Sequence, residues 1–583
     1  MSTHTISEAA ANVPATGRWR SLFTQESVAT IVVSIVVAAA VLLPLLALVV
    51  SSFQVMDPSG FDTSWGLDNY RRLYTDRIIP KAFVNTVLIS TGTTLLATVL
   101  GVSLAWINAR TNCPWRDRLE AWNLTPFFLS PFVGAIAWHD LASPKIGLLN
   151  AWARDHLGVR GYLFNVDNIW GVIWVTAIFF TPLVYLFVIG SLRRMDPSLE
   201  DSARTTGASL LRTTLTVTLP LVAPGILSGA IIVFVTAAGD FGVPFKLSAP
   251  YGWETLTTQI FSKAVGDDAN YYLGATMSMA LAAITVVLIW VQQRYIAPRS
   301  FTTVTGKGFR PNVHDLGRWK FAALGYNVAF ILVAVVLPIF CLVVVSMHPV
   351  WQGRILPADM SLHNYARTLF FWRSDSIRAA TNGIYNSFIL AFAGATIAMM
   401  LSLVVSYMIH RTKGFGARLL DFLCVVPIGF PGIVLAMGVL VTYIRTPIYA
   451  TLWILLLGYI TRFFPYGQRN IASVMLAISE ELDQSSRMAG ASWLTTMRRI
   501  TIPLLKPGIF AGWILLFVIF LRELSISIML YSTGNETLSV GVYYLSNFEN
   551  EPLTCALSMA QTVVLVVCFL FFRRVAGREA LTA

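Results

Sequence analysis

The stretch "ARTTGASLLRTTLTVTLPLVAPGI", residues 203–226, returns later in the chain as "SRMAGASWLTTMRRITIPLLKPGI", residues 486–509. The two align without a gap, Gly207 on Gly490 and Pro220 on Pro503, at a constant offset of 283 residues. Each reads as a short amphipathic helix (197–206 and 478–489), a Gly-Ala-Ser break and a second helical stretch. Leu-Pro or Ile-Pro and a Pro-Gly-Ile then lead into an apolar run. Acids crowd the first turns, Glu200 and Asp201 in one copy and Glu480, Glu481 and Asp483 in the other, where the positive end of the helix dipole favours them. A glycine permits the backbone reversal that a side chain would hinder, and a proline restarts a helix with φ already fixed.

The repetition extends outward from these loops. Leu43–Phe53 "LPLLALVVSSF" answers to Leu337–Met347 "LPIFCLVVVSM", and Val84–Thr111 answers to Tyr385–Thr412 with Asn85 over Asn386. Uncharged stretches long enough for a bilayer core, about 20 residues each, occur twelve times. The first six are Val28–Phe53, Asn85–Asn108, Ala121–Trp138, Asn168–Leu192, Thr213–Gly239 and Ala269–Gln293. The second six are Phe321–Met347, Tyr385–Ile409, Phe422–Ile444, Thr446–Thr461, Pro507–Leu521 and Pro552–Phe572. The expected fold is therefore an all-α polytopic membrane protein of about twelve transmembrane helices in two parallel six-helix repeats. Residues 1–27 form a cytoplasmic tail, 28–293 the first repeat, 294–320 a basic linker, 321–573 the second repeat and 574–583 a second cytoplasmic tail. Two similar halves that face each other can enclose a pathway that neither lines alone.

Composition agrees. Of 583 residues, 56% are apolar and only 12% charged, against roughly 25% charged in soluble domains. That excludes a soluble enzyme, a nucleic-acid-binding module and a disordered scaffold. The net charge of +12 gathers on the side that carries both termini and the paired loops, with the run Arg294–Lys320 the largest contributor. The positive-inside rule places that side in the cytoplasm. The five cysteines are widely spaced and form no C-x-x-C pair, so neither a disulfide framework nor a zinc site is readable.

Two absences bear on energy. No phosphate-loop motif exists; Gly306-Lys307-Gly308 lacks the upstream glycine and the Ser/Thr. The spans also hold almost no carboxylates or histidines from which to build a proton relay. An uphill pump with no engine of its own needs an external ATPase, and the paired loops offer it a seat. A self-powered secondary transporter and a passive channel are the rival classes.

The paired loops resemble the EAA loop of binding-protein-dependent ABC importer permeases, E-A-A-x-x-x-G followed by I-x-L-P. The resemblance implies a type I importer permease without catalytic residues, metal ligands or a cofactor of its own. ATP and magnesium would sit on two copies of a cytoplasmic ABC ATPase. A periplasmic substrate-binding protein would deliver the cargo to a multi-pass subunit of the bacterial inner membrane, with no nucleic acid involved. It also implies that Glu200, Asp201, Ala203 and Gly207, and Asp483, Gln484, Ser486 and Gly490, lie at the ATPase docking surface. Both copies depart from acid-Ala-Ala, reading Asp201-Ser202-Ala203 and Asp483-Gln484-Ser485.

Charges at span ends bear on the cargo. Gly239-Asp240 aligns with Arg522-Glu523, so Asp240, Arg522 and Glu523 are candidates to flank the pathway toward its outer end. The alternative is that Arg522 and Glu523 satisfy each other or a neighbour while Asp240 caps a helix end in water. His139-Asp140 and Lys246 read as outer-loop residues. A single fused chain with "GDFG" in one half and "RELS…LYSTGNETLSVGVYYL" in the other looks like the ferric iron importer permeases. Thiamine and 2-aminoethylphosphonate permeases share the fused plan, and polyamine permeases are more distant. Ferric ion is a hard acid suited to oxygen ligands, which paired carboxylates supply.

Overall fold

In lipid each backbone N–H and C=O must find a partner within the chain, and long apolar runs satisfy this by coiling. The computed structural model describes residues 25–56, 63–266, 269–296, 313–370, 375–411, 415–476 and 478–576. The tails and the centre of the basic linker fall outside these residues. In the first half the principal helices are α1 (Gln25–Ser52), α2 (Ile79–Arg110), α3 (Pro131–Ala142), α4 (Ile169–Arg194), α5 (Ser198–Thr205), α6 (Leu219–Ala238), α7 (Gly242–Leu247) and α8 (Tyr271–Ile296). In the second they are α9 (Leu337–Ser346), α10 (Asp375–Arg411), α11 (Gly432–Tyr443), α12 (Leu452–Met475), α13 (Glu480–Met488), α14 (Ile502–Leu521) and α15 (Glu551–Ala576).

Among the described residues nine helical stretches are long and apolar enough to cross a membrane, or ten with one bent pair. Two of the expected spans, Ala121–Trp138 and Thr446–Thr461, are not among these, and both differ in form from the sequence reading. The stretch expected as one span over Ala121–Trp138 is broken into Arg116–Asn123, Thr125–Phe128 and α3, with Pro126 and Pro131 each opening a new helix. Its counterpart breaks likewise: Gly416–Gly429 meets α11 at 108°, at Pro431. A proline ring cannot continue the helix before it, so a sharp corner results. The expected span Thr446–Thr461 starts later and runs on through Met475 as α12, 24 residues long and carrying Arg462 and Arg469. A π-helical turn precedes the helix-opening proline in both matched loops, at Thr214–Thr218 and Met497–Thr501. The wider turn suits a position where proline removes an N–H donor and crowds the preceding carbonyls.

The halves exchange their first spans. α1 packs on α8 of its own half and on α11 of the other, while α9 packs on α15 of its own half and on α3 of the other. Each half also holds one long helix tied to a later loop of the same half, residues 254–256 in the first and 536–538 in the second. Asn85 Nδ2 donates to the Glu254 carbonyl at 2.8 Å and Leu256 N–H donates to Thr86 Oγ1 at 2.9 Å. In the second half Asn386 Nδ2 donates to the Glu536 carbonyl at 2.9 Å and Leu538 N–H to Ser387 Oγ at 2.7 Å.

Candidate coupling loops and central pathway

The matched loops fold alike. α5 closes on Gly207 at φ 90°, with Ala208 N–H reaching back to the Ala203 carbonyl at 3.1 Å. α13 closes on Gly490 at φ 81°, with Ala491 N–H reaching the Ser486 carbonyl at 3.1 Å. These left-handed closures need glycine for its backbone freedom and not for room, since an added Cβ at either position meets nothing within 4 Å. Ala203 and Ser486 thus serve as acceptors of the closing bond, and Ser486 Oγ also bonds Thr496 Oγ1 at 2.9 Å.

The acids behave differently from the expectation. Glu200 and Asp483, expected on the docking surface, are buried, with Glu200 wholly enclosed. Glu200 lies 3.7 Å from the equally enclosed Arg110 at the end of α2 and 3.5 Å from His314, and it accepts a 2.6 Å bond from Thr218 Oγ1. Asp483 lies 3.0 Å from Arg411 at the end of α10 and accepts from Thr501 Oγ1 at 3.2 Å. The second arrangement repeats the arginine, the acid and the threonine of the first at matched positions, and His314 stands beside the first alone among the described contacts. Each arginine also anchors a carbonyl at the C-terminal end of the helix preceding the loop, Leu192 in the last turn of α4 at 3.0 Å and Ile478 just after α12 at 3.0 Å. The acids therefore clamp the short helix to the long one, a job that requires burial. Burial pushes the Glu200 carboxyl up, but the bonds from His314 and Thr218 and the Arg110 charge outweigh it and hold it below the usual carboxylate range.

The exposed faces of α5 and α13 carry Asp201 and Gln484, together with leucines in the same register. Leu199 and Leu482 are 46% and 47% exposed, and Leu211 and Leu494, beyond each glycine, 70% and 63%. Apolar side chains therefore stand at matched positions on the outside of both polar loops. Sequence reasoning missed Arg110 and Arg411, although both stand in the aligned segments as "NART" and "IHRT". It also missed His314, which lies in the basic linker and bonds backbone to backbone with Arg110 and Asn112 at 2.8 and 3.1 Å.

At the opposite end the halves meet around the two quoted signatures. A Cβ on Gly239 would lie 2.6 Å from the Pro431 Cβ of the other half, so only glycine allows this approach. Asp240 follows directly, and Glu523 Oε1 lies 3.9 Å from where a Cβ on Gly432, the residue after Pro431, would stand. Glu523 Oε1 accepts from Ile526 N–H at 2.9 Å. Arg522 reaches into the first half, donating to the Phe127 carbonyl and, at 3.1 Å, to that of Leu129, with its guanidinium 4.6 Å above the Phe127 ring. Its partners are thus two carbonyls and a ring of the facing half. His139-Asp140 and Lys246 depart from the outer-loop expectation. His139 and Asp140 are buried in α3, and Lys246, half-buried on α7, pairs with Glu551 of the other half.

The sequence profile described as "Binding-protein-dependent transport system inner membrane component" matches residues 97–301 and again 398–578, once in each half. The chain belongs to that family. This permease is 24% identical to the ferric transport system permease protein FbpB of Actinobacillus pleuropneumoniae, over 87% of this chain and 72% of that one. It is 23% identical to a putative ferric transport system permease protein FbpB 1 of Haemophilus influenzae, over 86% and 77%. A putative 2-aminoethylphosphonate transport system permease protein PhnV of Salmonella paratyphi A aligns at 23% identity with 42% of this permease and 89% of its own length. Relatives of that shorter kind correspond to one half, so the permease carries in one chain what they carry in part.

Proposed function

We propose that the chain is the fused permease subunit of a type I ABC importer. Two cytoplasmic ATPase subunits seat on α5 and α13, and a periplasmic binding protein supplies ferric iron at the opposite face. The observation that carries this reading is the repeated clamp, Arg110–Glu200 and Arg411–Asp483, beneath matched exposed leucines. A push on either short helix passes directly into a long membrane helix. The distribution of Lys and Arg supports placing the termini and these loops in the cytoplasm. The chain itself hydrolyses nothing in this reading; it supplies the passage and the levers. Asp240 and Glu523, close to the seam between halves, offer oxygen ligands that suit a hard trivalent cation in transit. The names of the full-length relatives support iron as cargo.

The test is co-purification followed by reconstitution with the bound ATPase and the cognate binding protein. Uptake of ferric ion that needs all three components and ATP is the expected result. Uphill accumulation by the chain alone, or dependence on a proton gradient without ATP, would refute the proposal. Uptake of 2-aminoethylphosphonate in place of iron would overturn the cargo and leave the importer class standing.

A further inference from the structure

The half–half interface on the α3 side contains a polar cluster for which the clamp and the central seam have no use. His139 and Asp140 come from α3, Lys246 from α7, and Glu551 and Cys555 from α15 of the other half. One donor atom each from His139, Asp140 and Glu551 lie within 4.8 Å of one another. Asp140 is fully enclosed; its Oδ2 accepts from the Cys555 thiol at 3.1 Å, while its Oδ1 has no partner. Glu551 Oε1 pairs with Lys246 Nζ at 2.9 Å, and its Oε2 is likewise unpartnered. His139 Nδ1 is held by Asp167 Oδ1 at 2.8 Å, and Ser143 holds Asp167 Oδ2 at 2.7 Å.

The fold does not require these charges. The repeat supplies a second interface built from the same elements, α1, α8 and α11. Pro131 and Pro431 open the two equivalent helices, and Asn270 and Asn550 cap the other pair with matching bonds to Leu273 and Leu553. In that register His139 and Asp140 are replaced by Val439 and Leu440, Glu551 by Tyr271, Cys555 by Ala275 and Lys246 by Met529. Apolar side chains therefore suffice for the packing, and buried charge in their place is unfavourable unless something compensates it. With Asp140, Asp167 and Glu551 all ionised and the imidazole neutral, as metal ligation requires, the one ammonium of Lys246 leaves the cluster two charges negative.

We propose that His139, Asp140 and Glu551 form a binding site for a divalent transition-metal ion. One imidazole and two carboxylates are the donor set of such ions. The Asp167–His139 bond is the arrangement that fixes a ligating imidazole, leaving Nε2 to face the metal. A dication closes the charge balance and meets both unpartnered oxygens. Entry is by way of Glu551 and His139, whose side chains keep 24% and 11% of their surface exposed. The site is separate from Asp240 and Glu523 and does not depend on which cargo the pathway carries.

The full chain in nanodiscs, stripped by chelation, is titrated with Mn²⁺ by electron paramagnetic resonance and with Zn²⁺ by calorimetry. One ion per chain is expected. Binding is lost in Asp140→Asn and Glu551→Gln, and weakens about 10- to 100-fold in Asp167→Asn. Lys246→Met, which removes the ammonium competing for Glu551, tightens binding several-fold, a gain that misfolding cannot produce. No binding by the wild-type chain, equal binding by the Asp140 and Glu551 variants, or no gain in Lys246→Met would each overturn the proposal.

Discussion

Glu200→Gln is the sharpest probe of the clamp. It removes one charge from a pair in which both side chains are wholly buried, 3.7 Å apart. The Arg110 guanidinium is left enclosed without its carboxylate, and breaking a buried pair in this way costs about 3–5 kcal/mol. That loss falls on the local opening of α5 from the end of α2, since the pair is what joins them. At about 1.4 kcal/mol per decade, exchange of the Gly207 and Ala208 amides should accelerate roughly 10²- to 10⁴-fold, up to the unprotected rate. Both amides are now bonded, to Arg204 at 3.0 Å and Ala203 at 3.1 Å. Hydrogen exchange of the nanodisc-embedded chain, read by mass spectrometry, measures it. The corresponding amide of the other loop, Ala491, should not change. Replacing both partners, Arg110→Met with Glu200→Leu, removes the stranded charge and should return protection close to the starting value. If Glu200→Gln leaves these amides within threefold of wild type, or if the double variant exchanges as fast as the single one, the clamp is not what holds the loop.

Asp483→Asn should free Ala491 in the same assay and leave Ala208 protected. Because the Glu200 carboxyl titrates below its ordinary value, its contribution is complete at neutral pH. Protection of the first loop should be lost as the pH falls below the usual glutamate value of about 4.3. Gly207→Ala and Gly490→Ala meet no obstruction, yet must adopt φ of 90° and 81°, a strain of about 1–2 kcal/mol each that should appear as faster exchange of the closing amides. Gly239→Ala places a Cβ 2.6 Å from Pro431 and should lower thermal stability by about 1–3 kcal/mol. Gly429→Ala, whose nearest neighbour is the end of Ile289 at 3.4 Å, should change little. Asp240→Asn with Glu523→Gln should abolish iron uptake while ATPase co-purification persists; unimpaired uptake would remove both acids from the pathway.

The duplication was readable because matched prolines, glycines and asparagines recur where the backbone needs them. The corners at Pro131 and Pro431 were not, since hydropathy windows average across a break that leaves composition unchanged. Acidic residues near a helix start look alike whether they face water or an arginine. The partner of Glu200 comes from 90 residues upstream, so no local pattern told a clamp from a docking contact. His139 and Asp140 read as loop because the charge-free count stopped at Trp138, while α3 continues through both to Ala142.

Asn85 and Arg110 secure one helix near its two ends, and Asn386 and Arg411 secure its twin, about 38 Å apart at 1.5 Å per residue. Each is a connecting rod with a bearing at either end. In the importer proposed above, a displacement entering at one bearing emerges at the other almost undiminished, because a helix resists shortening. It reaches the turns before Leu256 and Leu538, 16 and 15 residues past Asp240 and Glu523. Long-range communication in such a machine requires no relay of side-chain rearrangements through the core, and substitutions midway along either rod should leave the timing of the stroke untouched.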